Sequence, residues 1–218
     1  MKAVVYYANC PRISDKFPKG LYEELMLGLR NNLKKHNIPL IHITLEGHQG
    51  LGDENIYFEG NPDWVNFNRE VFFTEFLKTV AEDNQTYWFT EPDARLTNLI
   101  PDLIGDAAFT VRENRISPAW RLAKKTAYPI FQEAIDLFPN DRSRWQGDSE
   151  AWAQIYYNMN YPGDDNIIEY KQLKVELRKY KLYNMTGSHY SQQYKANHKF
   201  TIIETEKNNE SRKSVGSD

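Results

Sequence analysis

Two carboxylates one residue apart, Glu91 and Asp93, follow directly on an aromatic run, Tyr87-Trp88-Phe89. Paired carboxylate oxygens suit a hard divalent cation, which often shares them with substrate phosphates. A second acid, Asp148, stands in the stretch 145–152 (WQGDSEAW), flanked by two tryptophans. A carboxylate there could take a proton from a hydroxyl within hydrogen-bond reach. It could equally cap the helix that begins beside it. Arg69 lies near the start of an apolar helical pattern, where a cation opposes the helix dipole. It is therefore a candidate partner for a phosphate or a carboxylate. Late in the chain, His189 and the triplet Asn197-His198-Lys199 add imidazoles and a cation.

These groups need a scaffold. Aromatic residues favour a half-buried strand, and Pro92 cannot sit inside a central ladder. Residues 86–90 are thus predicted as a strand that ends just before the two acids. In open α/β sheets, ligands bind at that carboxyl edge. Residues 2–8 read as a first buried strand, with Tyr7, Ala8 and Asn9 at its end. Leu21, Leu25, Leu29 and Leu33 recur every four residues and predict a helix over 21–36. Residues 40–45 (LIHITL) follow as a strand parallel to the first through a right-handed crossover. His42 inside it reads as a satisfied sheet residue. The glycine-rich stretch 47–62 reads as irregular and contains no G-x-G-x-x-G, so a dinucleotide fingerprint is unsupported. A second helix is expected over 67–81, a turn of helix within 98–105, and a short strand over 107–111. A helix over 127–138 and another from Asp148 to about residue 159 complete the body. A last strand is expected over 200–205.

The chain has 218 residues, 40% hydrophobic and 14% aromatic, which suits one α/β domain with a core. The single cysteine, Cys10, excludes an internal disulfide framework and a multi-thiolate zinc site. No long apolar window is present, and the first ten residues lack a signal-like apolar region, so a cytoplasmic location is expected. The formal net charge is −3. Residues 171–199 run against that balance, with seven Lys/Arg against Glu176, a local +6. Tyrosines are interleaved with them. Clustered cations with aromatic rings suit a polyanion. The cations Arg112, Arg115, Arg121, Lys124 and Lys125 add to this.

In order and approximate spacing, the motifs resemble small nucleotide-sugar glycosyltransferases of the GT-A fold. YWFTEPDA resembles the strand-to-D-x-D corner, WQGDSEAW resembles a W-G-D-Q-x-A element, and NHKF or GSHY resembles a late histidine. Glu91 stands where that family usually has Asp, and Pro92 between the acids is unusual. The resemblance spans residues 1–203. It implies a single Rossmann-like domain over 1–205 with a mixed, mostly parallel sheet, followed by a polar tail, 206–218. It implies an Mn²⁺ or Mg²⁺ ion held by Glu91, Asp93 and His198, with His189 as the alternative imidazole. It also implies a UDP-type sugar nucleotide on Tyr7, Ala8, Asn9, Arg69 and Lys199. Asp148 would act as base if the anomeric centre inverts, or would position the sugar if it is retained.

The resemblance implies a hydroxyl acceptor. Given the basic stretch, a hydroxymethylated base in DNA is one form of it, as in small phage enzymes working in the host cytoplasm. Such an enzyme would have to extrude its target base. Two other classes share features with the sequence: a metal-dependent phosphoesterase or nuclease using the same acids, and a non-catalytic nucleic-acid-binding module.

Overall fold

A computed structural model describes residues 1–10, 20–96, 100–112 and 114–179. The expected strand at 200–205, the tail, and His189, His198 and Lys199 lie outside them.

The described strands form one eight-stranded sheet. In chain order they are β1 (Lys2–Tyr6), β2 (Leu40–Leu45), β3 (Glu54–Phe58), β4 (Tyr87–Thr90), β5 (Ala107–Arg112), β6 (Arg115–Ala123), β7 (Asn166–Tyr170) and β8 (Leu173–Lys179). Their spatial order is β3-β2-β1-β4-β6-β5-β8-β7. The first four are mutually parallel, with β1 between β2 and β4. β6 then runs antiparallel to both β4 and β5. β8 lies parallel to β5 and antiparallel to β7. Lys171 and Gln172 join β7 to β8 with φ of 52° and 63°. Two left-handed residues in a two-residue loop match the twist of a tight hairpin. The sequence-based expectation of one mixed α/β sheet with a parallel nucleus is met.

Among the described residues, four α-helices cover the sheet. α1 (Leu21–Lys34) packs Met26, Leu29 and Leu33 on one face, against Ala3, Val5, Trp88, Trp120 and Leu122. α2 (Val65–Glu75), α3 (Tyr128–Asp136) and α4 (Gly147–Asn158) cover the other face, against Val4, Tyr6, Phe89 and Phe109. Alternate residues of β1 and β4 thus serve opposite faces, as the period of two requires. α2 continues as a π-helical turn, Phe76–Val80, closed by Ala81 N–H on the Phe76 carbonyl at 2.9 Å. Together they occupy the span expected for the second helix.

Four strands, β3, β6, β7 and β8, escape a reading by pattern. β3 lies inside the stretch 47–62 expected to be irregular. Its short alternating segment sits on the sheet edge, with little apolar signal. The return from β2 to β3 is pinned from the side, Leu51 N–H donating to His42 Nδ1 at 3.0 Å and Asp53 N–H to the Leu40 carbonyl at 2.8 Å. β6 carries Pro118 among cations, which argues against a central strand. Pairing with β5 shifts register between Phe109 and Val111, and β4 pairs only with residues 120–123 of β6. Pro118 therefore falls where the ladder is interrupted. Residues 100–105 form no helix.

Candidate functional site

Val5 of β1 is in register with Thr90 of β4. The two parallel strands consequently end side by side, and Tyr6-Tyr7-Ala8 meets Glu91-Pro92-Asp93 at the carboxyl edge. Glu91 opens a tight turn, its carbonyl accepting Ala94 N–H at 3.0 Å. Pro92 occupies the second turn position, where its fixed φ is favoured. The proline that ends the strand therefore also folds the acids back over the sheet edge.

A cavity of about 320 Å³ opens there. Tyr7, Ala8, Arg69, Glu91, Asp93 and Asp148 all line it, with Tyr22, Trp145 and Pro118 among the other walls. Six side chains chosen from the sequence as candidates thus converge in one place. Asn9 is exposed and is not part of the lining. His198, Lys199 and His189 lie outside the described residues.

Arg69 sits at the centre. Its Nη1 donates to Glu91 Oε1 at 2.7 Å, its Nη2 to Asp148 Oδ2, and its Nε faces Glu70 Oε1 at 3.4 Å. The cation is therefore a carboxylate partner. Burial works against its charge, and the carboxylates of Asp148, Glu91 and Glu70 more than offset that, so the guanidinium stays protonated.

Asp148 is not a helix cap, contrary to the capping alternative. The cap position of α4 belongs to Gln146, and Asp148 lies inside the first turn with 3% exposure. The reason is Gly147, where a Cβ would meet the Phe138 ring at 2.5 Å. Its absence lets α4 start hard against that ring. Burial pushes the Asp148 carboxyl up to about 6, against the pull of Arg69 and with Glu70 and Glu91 adding to the rise. Asn66 Nδ2 donates to the Trp145 carbonyl and ties α2 to the loop before α4.

Tyr7 donates its hydroxyl to Glu23 Oε1 at 2.9 Å and stacks on Tyr22, with ring centroids 5.6 Å apart and planes at 11°. Burial, and then Glu23, push its phenol well above the usual range.

Behind the cavity lies a part of the site that sequence reading missed. Glu70 is fully buried, and its Oε2 accepts from Arg121 Nη1 at 2.5 Å and from Trp152 Nε1 at 3.1 Å. Arg121 is itself fully buried beneath the rings of Phe73, Phe131 and Trp152, 4.9–5.3 Å from their centroids. The one available signal was the adjacency of Arg69 and Glu70 within an apolar helical stripe. By sequence Arg121 falls among the cations of 112–125 that suit a polyanion, because nothing local marks a strand of nine residues there.

The donor chemistry at the corner suits a hard divalent ion. Glu91 and Asp93 offer only oxygens, and such ions use one or two protein carboxylates together with substrate phosphates. Glu91 keeps 32% of its side chain exposed while also holding Arg69. Among the described residues, no group of three or more His, Cys, Asp or Glu side chains is placed to hold a metal. No described helix is long and apolar enough to cross a membrane.

No protein-family model matches the chain, and no curated protein matches it. Among solved structures it is similar to a glycosyltransferase involved in the glycosylation of the major capsid of PBCV-1. That match has 11% identity and a TM-score of 0.45, and covers 82% of each chain. It is also similar to the PaToxG glycosyltransferase, at 11% identity and a TM-score of 0.47, over 72% of this chain and 68% of that one. A third is a nucleoside-diphosphate-sugar pyrophosphorylase from Vibrio cholerae RC9, at 11% identity and a TM-score of 0.49, over 81% and 91%.

Proposed function

We propose that this protein is a GT-A-type glycosyltransferase that moves a sugar from a nucleotide-sugar donor to a hydroxyl acceptor with divalent-metal assistance. The observation that carries the reading is the convergence of Tyr7, Ala8, Arg69, Glu91, Asp93 and Asp148 around one cavity, at the carboxyl edge of parallel strands. In this reading Tyr7 and Ala8 border the nucleoside. Glu91 and Asp93 would hold Mn²⁺ or Mg²⁺, which would supply Lewis-acid stabilisation of the charge on a departing diphosphate. Arg69 keeps Glu91 and Asp148 in fixed places, and its positive charge faces the same anion. Asp148, with its proton affinity raised towards neutrality by burial, receives the acceptor hydroxyl proton. His198 and Lys199 belong to the proposal by resemblance alone.

The DNA form of the acceptor has thinner support. Several cations that suggested a polyanion are engaged within the protein. Arg178 pairs with Glu176 in the interior at 2.7 Å, Lys171 meets Glu133 at 3.3 Å, and Lys179 meets Asp165 at 2.7 Å. Arg121 is buried. The reading of a hydroxymethylated base as acceptor therefore draws on fewer cations than the sequence count of 171–199 and 112–125.

Thermal denaturation tests the class. A uridine diphosphate with Mn²⁺ or Mg²⁺ should raise the melting temperature, and Asp93→Ala should abolish the rise. No shift with any nucleoside diphosphate would count against the transferase. Mass spectrometry of hydroxymethylated DNA incubated with a panel of sugar nucleotides tests the acceptor, and no mass gain would remove DNA alone.

A further inference from the structure

The interior of the sheet's helical face holds an ion pair that the proposed chemistry does not touch. Arg121 on β6 and Glu70 on α2 are both fully buried, and they meet under three aromatic rings. Among the described residues, the Arg121 Nε and Nη2 atoms have no hydrogen-bond partner. Burial pulls the Arg121 guanidinium below its ordinary value, with Glu70 opposing that. Such a pair contributes little net stability compared with apolar side chains of the same volume. Its presence in the core calls for another physical role.

The geometry supplies one. Glu70 and Arg69 are consecutive on α2, so their side chains leave the helix about 100° apart. Glu70 points into the core and Arg69 points along the helix flank to the cavity. The Glu70 carboxylate has two oxygens with different duties. Oε2 is held from behind by Arg121 and by the Trp152 indole N–H, and Oε1 faces Arg69 Nε. The remaining two guanidinium nitrogens then lie on Glu91 and Asp148. A planar guanidinium with one edge set has little freedom at the other two. Trp152 sits one helical turn beyond Asp148 on α4, so the same helix supplies both ends of the chain of contacts.

We propose that Glu70, anchored by Arg121 and Trp152, is a positioning residue that fixes the Arg69 fork on Glu91 and Asp148. This rests on the transferase reading for its consequence in turnover, and on the structure alone for its effect on Arg69.

The test separates positioning from mere folding. Glu70→Gln leaves Arg121 buried without a charge partner and is expected to lower the melting temperature. The double variant Glu70→Met/Arg121→Met removes both charges at similar volume and should recover that loss. Arginine side-chain nitrogen NMR then reads Arg69 directly. In the wild type its two Nη groups are expected as separate, slowly exchanging signals, and in the refolded double variant as one averaged signal. Sugar transfer by the double variant should stay roughly 10–100-fold down in kcat, with KM for the donor little changed. A folded double variant whose Arg69 signals remain separate overturns the proposal, and so does one that recovers full turnover together with stability. If the double variant does not fold, Glu70→Gln is read the same way, since it keeps the side-chain volume and an acceptor for Trp152. A wild type without turnover removes the transferase reading only, because the Arg69 signals still decide the positioning role.

Discussion

Arg69 on α2 donates to Asp148 in the first turn of α4, across 79 residues of sequence. That contact makes the start of one helix depend on the flank of another. It also puts a cation between the acid of the β4 corner, Glu91, and the acid proposed to take the acceptor proton.

Loss of that cation should be costly. Arg69→Met leaves Asp148, Glu70 and Glu91 facing one another with only Arg121 behind them. Removing one partner from a buried pair costs about 3–5 kcal/mol. Urea unfolding of the variant should show a shift of that size, with the slope unchanged. Arg69→Lys should recover only part of it, because an ammonium cannot fork onto two carboxylates. A wild-type midpoint in Arg69→Met would place the network outside the fold's stability.

Asp148 makes opposite predictions for rate and for stability. Its carboxyl is pushed up to about 6 by burial, against Arg69 and with Glu70 and Glu91 adding. As a base it must be ionised, so kcat/KM for transfer should rise with pH through about 6 and then level. Asp148→Asn should remove the inflection and lower the rate by roughly 10²–10⁴-fold. Stability runs the other way. Between the unfolded value near 4 and the folded value near 6, the native state binds the extra proton, so this group's contribution falls as pH rises. The loss is about 2–3 kcal/mol in total, and it is read as the difference between wild type and the Asn variant in chemical denaturation at pH 4.5 and 7, because His42 titrates over the same window in both.

Gly147 is open to a direct steric test. Its backbone is ordinary helix, so alanine would be tolerated there but for the Phe138 ring. Gly147→Ala should push the start of α4 away and cost about 1–3 kcal/mol through overpacking. Phe138→Leu in the same chain should relieve part of that cost. Equal melting temperatures for wild type and Gly147→Ala would show that the ring yields freely.

His42 should act as an acid-sensitive pin. It is fully buried, with Nε2 on the Tyr7 carbonyl at 2.9 Å and Nδ1 accepting Leu51 N–H. That pair of partners specifies the neutral ring with its proton on Nε2. Burial holds its pKa down at about 4, with the Tyr7 carbonyl opposing. Unfolded, it would protonate near 6.5, so stability is full above that value and is lost as pH falls towards about 4. The loss amounts to about 3 kcal/mol. Nitrogen NMR at pH 5 should still show the neutral Nε2–H tautomer, and a protonated ring there would refute this.

Much of the scaffold was legible because its signals are local. The four-residue leucine spacing determined α1. The apolar run 40–45 matched β2 residue for residue, since a strand buried on both faces needs no partner to be recognised. Pro92 after an aromatic strand located the acidic corner, because proline's missing donor acts wherever the rest of the chain goes. Arg69 was singled out by a charge in the wrong half of a helix.

What the sequence could not determine depends on partners distant along the chain. β3 and β6 are strands because β2, β4 and β5 offer edges to them, and only pairing reveals that. Glu70 and Arg121 are 51 residues apart, and each alone reads as a surface charge. Their burial is decided by α4 packing over β6 and against α2, which also turns Arg121 from an expected polyanion contact into an interior cation. The corner residues Glu91 and Asp93 were thus determined by sequence. The hold of a buried pair on Glu91 through Arg69 was decided only by tertiary structure, because an interior charge is tolerable only where folding brings its counter-charge to it.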